Sequence, residues 1–147
     1  MVCLIFKNRI VRFAAFVIVA AVFSANPVVA QKIVSGTASY YHDSLEGNKT
    51  ANGETFQQSK LTAAHKNLPF DSWVLLTDPN GQDIVVRIND RLPRNSSRMI
   101  DLTTEAARQL DMLRAGIKRV GMKVISVQEA WHWYLENGFI NIDVAWR

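Results

Sequence analysis

Hydrophobic and polar residues alternate in short segments along most of the chain beyond residue 30, and turn-forming residues separate these segments. A period of two is typical of β-strands that bury one face. Six short strands with little helix favour a closed barrel, because closure removes the exposed edges of a small sheet. The pattern therefore predicts a mainly β domain with six strands, at residues 34–41, 61–65, 73–77, 84–88, 99–102 and 120–127.

Two local signals refine this prediction. Between the third and fourth strands, Asp78-Pro79-Asn80-Gly81 matches a type I turn position by position, so these two strands are expected to form a hairpin. One helix is predicted where Thr103 can act as N-cap and Gly116 can end the segment. Within it, Ala106, Leu110 and Leu113 recur at the spacing of one helical face.

The last twenty residues, 128–147, form a Trp-rich extension. Asn137-Gly138 is a strong hairpin signal, and the residues on both sides of it alternate. The predicted hairpin places Trp131 and Trp133 on one face. The plainer interpretation is that this face packs on the barrel, and the alternative is that the two indoles bind sugar rings of the substrate.

The first thirty residues have the pattern of a cleavable signal peptide. Lys7, Arg9 and Arg12 precede an apolar run of eleven residues, and the segment ends in small residues at Ala30. The run is too short to span a bilayer as a helix, so an uncleaved anchor is the weaker alternative. Cys3 lies before the run, where it can serve neither a disulfide nor a lipid anchor. We expect an exported protein, periplasmic or secreted, without a stable membrane anchor.

Charge excludes one class of partner. Three of the seventeen basic residues and none of the thirteen acidic ones lie in residues 1–30, so the remainder carries fourteen basic and thirteen acidic side chains and a net charge of +1. Without a basic stripe, nucleic acid is not an expected partner. His42, His65 and His132 show no close ligand spacing, so we expect no metal site and no cofactor.

The first candidate group for chemistry is Glu54 with His65. Asn52-Gly53 predicts a tight turn that presents Glu54, and His65 ends a predicted strand eleven residues later. Taken alone, each residue has an ordinary alternative, as a solvated surface carboxylate or as a structural histidine.

The second candidate is Asp90, which continues the row Ile84, Val86, Ile88 to the end of its strand. A carboxyl group at the barrel mouth is partly desolvated, which favours the protonated acid needed to donate a proton to a glycosidic oxygen. The alternative is a structural ion pair with Arg87, Arg91 or Arg98. Asp101, just before the predicted helix, is better explained as a structural residue.

Taken together, these segments resemble the rare-lipoprotein-A-like (RlpA-like) double-psi β-barrel family, whose fold is related to that of expansins. The resemblance covers most of the chain beyond residue 30. It implies a six-stranded double-psi β-barrel and lytic cleavage of peptidoglycan. The motifs that carry it are, in order, Gly36-Thr37-Ala38-Ser39-Tyr40-Tyr41, Thr50-Ala51-Asn52-Gly53-Glu54, Thr62-Ala63-Ala64-His65-Lys66, Val85-Val86-Arg87-Ile88-Asn89-Asp90-Arg91 and Ile100-Asp101-Leu102.

By this resemblance, Asp90 is the expected acid/base, and Glu54 and His65 are its catalytic partners. The expected reaction cleaves the bond between N-acetylmuramic acid and N-acetylglucosamine and leaves a 1,6-anhydro ring. The protein is expected to act as a monomer on glycan strands. The residues expected to bind those strands are Tyr40, Tyr41, Asn52, Asn89, Arg91, Trp131 and Trp133.

Three positions depart from the family pattern: Gln57 replaces an acidic residue, and Leu92 and His42 replace glycines. Because of these departures, a non-catalytic, expansin-like binding module is the alternative function. A protein-interaction or inhibitor module is a third, because one fold can serve several functions.

Overall fold

The computed structural model describes residues 32–139 and shows a closed barrel of six strands in the order β1-β5-β2-β4-β3-β6. The six-stranded barrel predicted from alternation is therefore confirmed, with strand ends displaced by no more than three residues. The strands are β1 (Val34–Tyr40), β2 (Thr62–His65), β3 (Trp73–Thr77), β4 (Asp83–Asp90), β5 (Ile100–Leu102) and β6 (Ile117–Ile125), and a 3₁₀ turn spans Asp43–Leu45.

Parallel pairing distinguishes this barrel from a simple meander. β1 runs parallel to β5 and β2 runs parallel to β4, whereas the other four pairs are antiparallel. Parallel neighbours need crossover connections: the one from β1 to β5 contains β2, β3 and β4, and the one from β2 to β4 contains β3. Because β2 and β4 are parallel, their last residues, His65 and Asp90, lie at the same end of the barrel.

The hairpin between β3 and β4 contains the predicted turn. The Gly81 amide donates to the Asp78 carbonyl over 3.0 Å, which closes the type I turn. The buried Asp78 carboxylate also accepts from the Asn80 and Gln82 amides at 2.8 and 2.9 Å and pairs with Lys118 at 2.6 Å. The turn is thus fixed to β6 as well as to its own strands.

β4 is buried on both faces, which simple alternation did not predict. Residues 84–89 are each at most 3 % exposed, because β4 lies between β2 and β3 and both helices contact it. In the pairing with β2, Ala63 is opposite Ile88 and Ala64 is opposite Asp90, so Asn89 is an extra residue in β4. A bulge of this kind re-aims the side chain that follows it. The predicted row leading to Asp90 therefore meets an irregularity in the strand pairing just before that residue.

The first helix, α1 (Thr104–Gln109), is shorter than predicted. Thr103 precedes it, but the Thr103 hydroxyl bonds the Lys60 carbonyl instead of capping the helix. The helix ends at Leu110 because Asp111 adopts a left-handed backbone with a φ of 47°. The chain then reaches Gly116 through a separate turn, in which the Gly116 amide bonds the Met112 carbonyl at 2.9 Å.

The predicted C-terminal hairpin was wrong over its first arm, which is a helix, α2 (Val127–Glu136). Ser126 and Glu129 form a capping box: the Glu129 amide donates to Ser126 Oγ at 3.2 Å and the Ser126 amide donates to Glu129 Oε2 at 2.7 Å. These two bonds satisfy amides that a strand would have paired elsewhere. The second arm of the predicted hairpin, residues 140–147, lies outside the described residues.

Asn137-Gly138 ends α2 and is not a two-residue hairpin loop. Gly138 has a φ of 77°, its amide bonds the Leu135 carbonyl, and the Phe139 amide bonds the Tyr134 carbonyl at 2.9 Å. This is the Schellman pattern, in which a left-handed glycine closes a helix. The same dipeptide suits both structures because both need a residue with positive φ.

Tyr134 fixes α2 to the barrel. Its hydroxyl donates to the Val85 carbonyl at 2.9 Å, and its ring meets the edge of Trp73 with centroids 5.8 Å apart. The Trp-rich segment therefore packs on the barrel through this buried tyrosine. Within residues 32–139, neither helix has the length and apolarity needed to cross a bilayer.

Candidate active site

Glu54 lies in a loop that is attached to β4. The Gly53 amide bonds the Thr50 carbonyl at 2.9 Å, which closes the turn expected at Asn52-Gly53. The Asn52 amide then bonds the Asn89 carbonyl at 3.3 Å. The loop 50–54 therefore lies along the last residues of β4, and it approaches the end of the strand that carries Asp90.

Asp90 is half-buried and accepts three hydrogen bonds. Its Oδ1 accepts from the Ala51 amide and from the Arg91 amide, both at 2.8 Å. Its Oδ2 accepts from the Tyr41 hydroxyl at 2.6 Å. A carboxylate offers about four lone-pair positions, so one position, on Oδ2, remains for a ligand or a proton.

Tyr41 is a positioning residue for Asp90 as well as a predicted sugar-binding residue. Its ring packs edge-on against Phe56, with centroids 4.7 Å apart. Burial, reinforced by the Asp90 carboxylate, raises the pKa of Tyr41 far above its ordinary range. The phenol is therefore protonated near neutral pH, where it donates its hydrogen bond to Asp90.

Glu54, in contrast, has every lone-pair position filled. Oε1 accepts from Asn52 Nδ2 at 2.9 Å and from Arg87 Nη1 at 2.8 Å, and Oε2 accepts from Arg87 Nη2 at 2.8 Å and from Asn89 Nδ2 at 3.0 Å. The bidentate Arg87 pair, helped by the two amides, lowers the pKa of Glu54 to about 2. Glu54 is therefore an ionised acceptor without a free position for a proton near neutral pH.

Arg87 holds this loop to β4, although from sequence it was only one of three alternative ion-pair partners for Asp90. Its side chain is 3 % exposed and pairs with Glu54 and, at 2.6 Å, with Asp71. A buried arginine in an apolar strand requires carboxylate partners, and that rule is the signal that could have identified the pair. The alternation of side chains sends Arg87 and Asn89 to the same side, toward Glu54.

The alternative in which Asp90 forms an ion pair with an arginine is not observed among residues 32–139. Arg98 pairs with the buried Asp101 at 2.8 Å, as expected for a structural aspartate. The side chain of Arg91, the residue after Asp90, lies over the ring of Phe70, with its guanidinium carbon 3.8 Å from the ring centroid. Its Nη1 donates to the His65 carbonyl at 3.3 Å.

His65 is held as a neutral ring in one orientation. Its Nδ1 accepts from the Asn67 and Leu68 amides at 3.2 and 3.0 Å, so the proton of the neutral ring belongs on Nε2. Burial, together with the nearby charges of Arg91 and Lys66, lowers the pKa of His65 below 6.5. The ring can therefore donate one hydrogen bond from Nε2 near neutral pH.

The other predicted sugar-binding residues have different surroundings. Tyr40 directs its hydroxyl to the Leu113 carbonyl at 3.1 Å, and Asn89 is 3 % exposed. Trp131 and Trp133 lie two positions apart on α2, a rotation of about 200° around a helix, so they do not share a face. The structure thus gathers Tyr41, Asn52 and Arg91 near Asp90 and leaves the two indoles on α2.

One atom in this arrangement is suited to move a proton. Asp90 Oδ2 keeps one open position, whereas Glu54 has none, and His65 offers only an N–H donor. Within the described part of the chain, no three His, Cys, Asp or Glu side chains are grouped as metal ligands. The site is thus a double-psi-type barrel mouth with a single available carboxyl group.

Comparison with known proteins gives the family. The sequence model of the family described as "Lytic transglycolase" matches residues 33–122. The chain belongs to this RlpA-like double-psi β-barrel family.

Similar relatives carry one name. The chain is 45 % identical over 117 residues to the "Probable endolytic peptidoglycan transglycosylase RlpA" of Treponema pallidum, covering 78 % of this chain and 36 % of that protein. It is 42 % identical over 96 residues to the "Endolytic peptidoglycan transglycosylase RlpA" of Haemophilus influenzae, covering 65 % and 33 %. The chain thus spans about a third of the length of these curated relatives.

Solved structures with the same fold have other functions in their titles. The Streptomyces papain inhibitor superposes with a TM-score of 0.53 at 23 % identity, covering 65 % of this chain and 96 % of that one. An expansin of Clavibacter michiganensis, solved as a D78N mutant with cellohexaose, gives 0.52 at 18 % identity, covering 65 % and 51 %. At these identities, the similarity shows the double-psi barrel fold alone.

Proposed function

We propose that this protein is a lytic transglycosylase that cleaves peptidoglycan glycan strands between N-acetylmuramic acid and N-acetylglucosamine, with Asp90 as its acid and base. The single observation that carries the proposal is the hydrogen bonding of Asp90, which is oriented by three donors, keeps one open position on Oδ2 and has no ion pair among residues 32–139. The family match and the names of the relatives support the same reaction.

In the first step, protonated Asp90 donates its proton from Oδ2 to the glycosidic oxygen. The bond between that oxygen and muramic C1 breaks, and N-acetylglucosamine leaves with the proton as its 4-hydroxyl. Positive charge develops at C1 and the ring oxygen, and the Asp90 carboxylate now faces it. Proton donation by a positioned side chain contributes about 10²- to 10⁴-fold to a rate.

In the second step, the Asp90 carboxylate removes the proton of the muramic C6 hydroxyl. The C6 oxygen bonds C1 and closes the 1,6-anhydro ring, and Asp90 is protonated again. Water is not consumed, and one carboxyl group serves both steps, unlike the two-carboxylate arrangement of ordinary glycosidases. The attack is intramolecular, so it benefits from a high effective concentration.

Glu54 and His65 have supporting roles in this proposal. Glu54 is a positioning residue, because its bonds to Arg87 and Asn89 hold the loop that supplies the Ala51 amide to Asp90. His65 presents an Nε2 donor toward the sugar, with its ring fixed by two backbone amides. Arg91, Asn52 and Tyr41 border the same end of the barrel and complete the proposed sugar contacts.

Export is part of the proposal. A cleavable signal in residues 1–30 would deliver residues 31–147 to the compartment that holds peptidoglycan. We propose that the protein acts there as a monomer, without a cofactor and without a membrane anchor.

The test is mass spectrometry of peptidoglycan sacculi after incubation with purified protein. The proposal predicts products with 1,6-anhydro-muramic ends, and none from the Asp90→Asn variant. Reducing ends formed by hydrolysis would contradict the mechanism. Sedimentation with sacculi without any product would identify the non-catalytic binding module instead.

A further inference from the structure

A cavity lies at the other end of β4 from Asp90. It has a volume of about 700 Å³, and its walls come from the start of β4 and from the C-terminal ends of α1 and α2. β4 has eight residues between Asp83 and Asp90, which corresponds to about 23 Å at 3.3 Å per residue. The cavity is therefore separate from the site around Asp90.

An indole forms the aromatic part of this cavity. Trp133 lines it, and Phe139 stacks on the same ring with centroids 5.5 Å apart and an interplanar angle of 16°. Tyr134 meets Trp133 edge-on at 5.3 Å. The ring is thus held in one orientation before any ligand binds, which lowers the entropy cost of stacking a ligand against it.

Three amide side chains line the rest of the cavity, and one N–H of each amide nitrogen is already bonded. Gln82 Nε2 bonds the Gln109 carbonyl, Gln109 Nε2 bonds Glu105 at 2.9 Å, and Asn137 Nδ2 bonds the Trp133 carbonyl at 2.8 Å. Within the described range, their three amide oxygens accept no hydrogen bond. The cavity therefore offers three oriented amide oxygens as acceptors, and a second N–H on each amide nitrogen, to a ligand that carries hydroxyl and amide groups.

Charge selects further among ligands. Asp83 and Glu136 add exposed carboxylates to the lining, and the one cation, Arg108, is already bound to Glu105 through Nε and Nη2. An anion such as a phosphate would meet two carboxylates, while the arginine of the lining is already paired with Glu105. A neutral sugar ring would find acceptors for its hydroxyl and acetamido groups and an aromatic surface for its C–H face.

We infer that this cavity is an accessory subsite that binds a hexosamine ring of a glycan strand, remote from the cleavage site. The choice of glycan rests on the proposed function; the location of the subsite does not. Such a subsite lets the protein hold a strand at a second point while Asp90 acts on it.

The test is an NMR titration of ¹⁵N-labelled Asp90→Asn protein with chitohexaose, a neutral oligomer of N-acetylglucosamine. The expected result is a shift of the Trp133 indole N–H and of the side-chain amides of Gln82, Gln109 and Asn137. Shifts confined to Tyr41, Ala51 and Arg91 would overturn the subsite and leave the proposed function intact. No shift at either end would also overturn the subsite. The proposed function is tested separately, by product formation with the unmodified protein.

Alanine variants test which residues of the cavity contribute to chitohexaose binding. Trp133→Ala is expected to weaken chitohexaose binding about tenfold, the loss of one aromatic contact. Asn137→Ala, at an exposed position, is expected to weaken binding about threefold and keeps the test valid if the Trp133 variant fails to fold. Leu135→Ala, exposed on the same helix but outside the cavity, is the matched control and should bind as before. Equal weakening by Trp131→Ala would overturn the assignment to this cavity.

Discussion

Asp90 and Glu54 lie at the same end of the barrel, yet their surroundings give them different chemistry. Glu54 accepts four hydrogen bonds, two of them from a buried arginine, whereas Asp90 accepts three, all from uncharged donors. An arginine pair keeps a carboxylate ionised, so it cannot act as an acid near neutral pH.

The difference shows that the number of donors around a carboxylate matters as much as its place in a cleft. A saturated carboxylate stabilises structure, and an unsaturated one can still exchange a proton with a ligand. In this barrel, the saturated group holds the loop and the unsaturated group carries the proposed reaction.

The largest effect on stability is expected from Arg87→Ala. Removing the buried arginine leaves Glu54, whose side chain is 27 % exposed, without its ion pair, which costs about 2–3 kcal/mol of the free energy of unfolding. Urea denaturation followed by tryptophan fluorescence measures this loss. Arg108→Ala is the matched control, because its ion pair with Glu105 is exposed and should contribute less than about 1 kcal/mol. Equal losses in the two variants would refute the structural role of the Glu54 pair.

Glu54→Gln tests whether Glu54 positions Asp90 or reacts itself. We expect anhydro-product formation to fall roughly 10- to 100-fold, because the loop that donates the Ala51 amide is loosened while Asp90 remains. A loss as large as that of Asp90→Asn would instead make Glu54 a catalytic residue.

The same variant has a signature in acid. Because the folded-state pKa of Glu54 is about 2 and its ordinary value is 4.5, the unfolded chain binds a proton first as the pH falls. The stability contributed by Glu54 is complete above pH 4.5 and is lost between 4.5 and about 2. Glu54→Gln should therefore lose less stability than the unmodified protein over this range, as measured by melting temperature at each pH. A parallel decline of the two proteins would contradict the assigned pair.

Tyr41→Phe removes one donor from Asp90 and keeps the ring that packs on Phe56. We expect kcat/KM to fall about tenfold, the usual value of a hydrogen bond to a charged group. An unchanged kcat/KM in a folded Tyr41→Phe variant would contradict the positioning role of this hydroxyl.

The smallest effect concerns His65. Burial lowers its pKa below 6.5, so acid protonates the unfolded chain before the folded one, and the stability contributed by neutral His65 is lost as the pH falls below 6.5. An NMR titration of the ring should give a midpoint below 6.5, with Nε2 protonated and Nδ1 unprotonated at neutral pH. A midpoint above 6.5 would contradict the surroundings described for this ring.

The barrel could be predicted from sequence because its signals are local. Alternation marked all six strands, and Asp78 to Gly81 defined a turn whose type favours residues of these kinds. Strand ends and the length of α1 were less accurate, since they depend on contacts such as that of Thr103 with Lys60, which are distant in sequence.

The tail and the partners of the carboxylates could not be predicted in the same way. Asn137-Gly138 suits a hairpin and a helix end equally well, and the capping box of Ser126 and Glu129 decides between them. The bulge at Asn89 and the pairing of Arg87 with Glu54 depend on how distant segments meet. The resemblance named Asp90, Glu54 and His65 as one group, but their separate roles remain predictions.

The most direct test of the central claim is the rate at which Asp90→Asn forms 1,6-anhydro ends from peptide-free glycan strands, compared with the unmodified protein. Since Asp90 is proposed to act as acid and then as base, the rate should fall by about 10³-fold or more, while the melting temperature stays close to its original value. A folded Asp90→Asn variant that retains more than about a tenth of the rate would contradict the account.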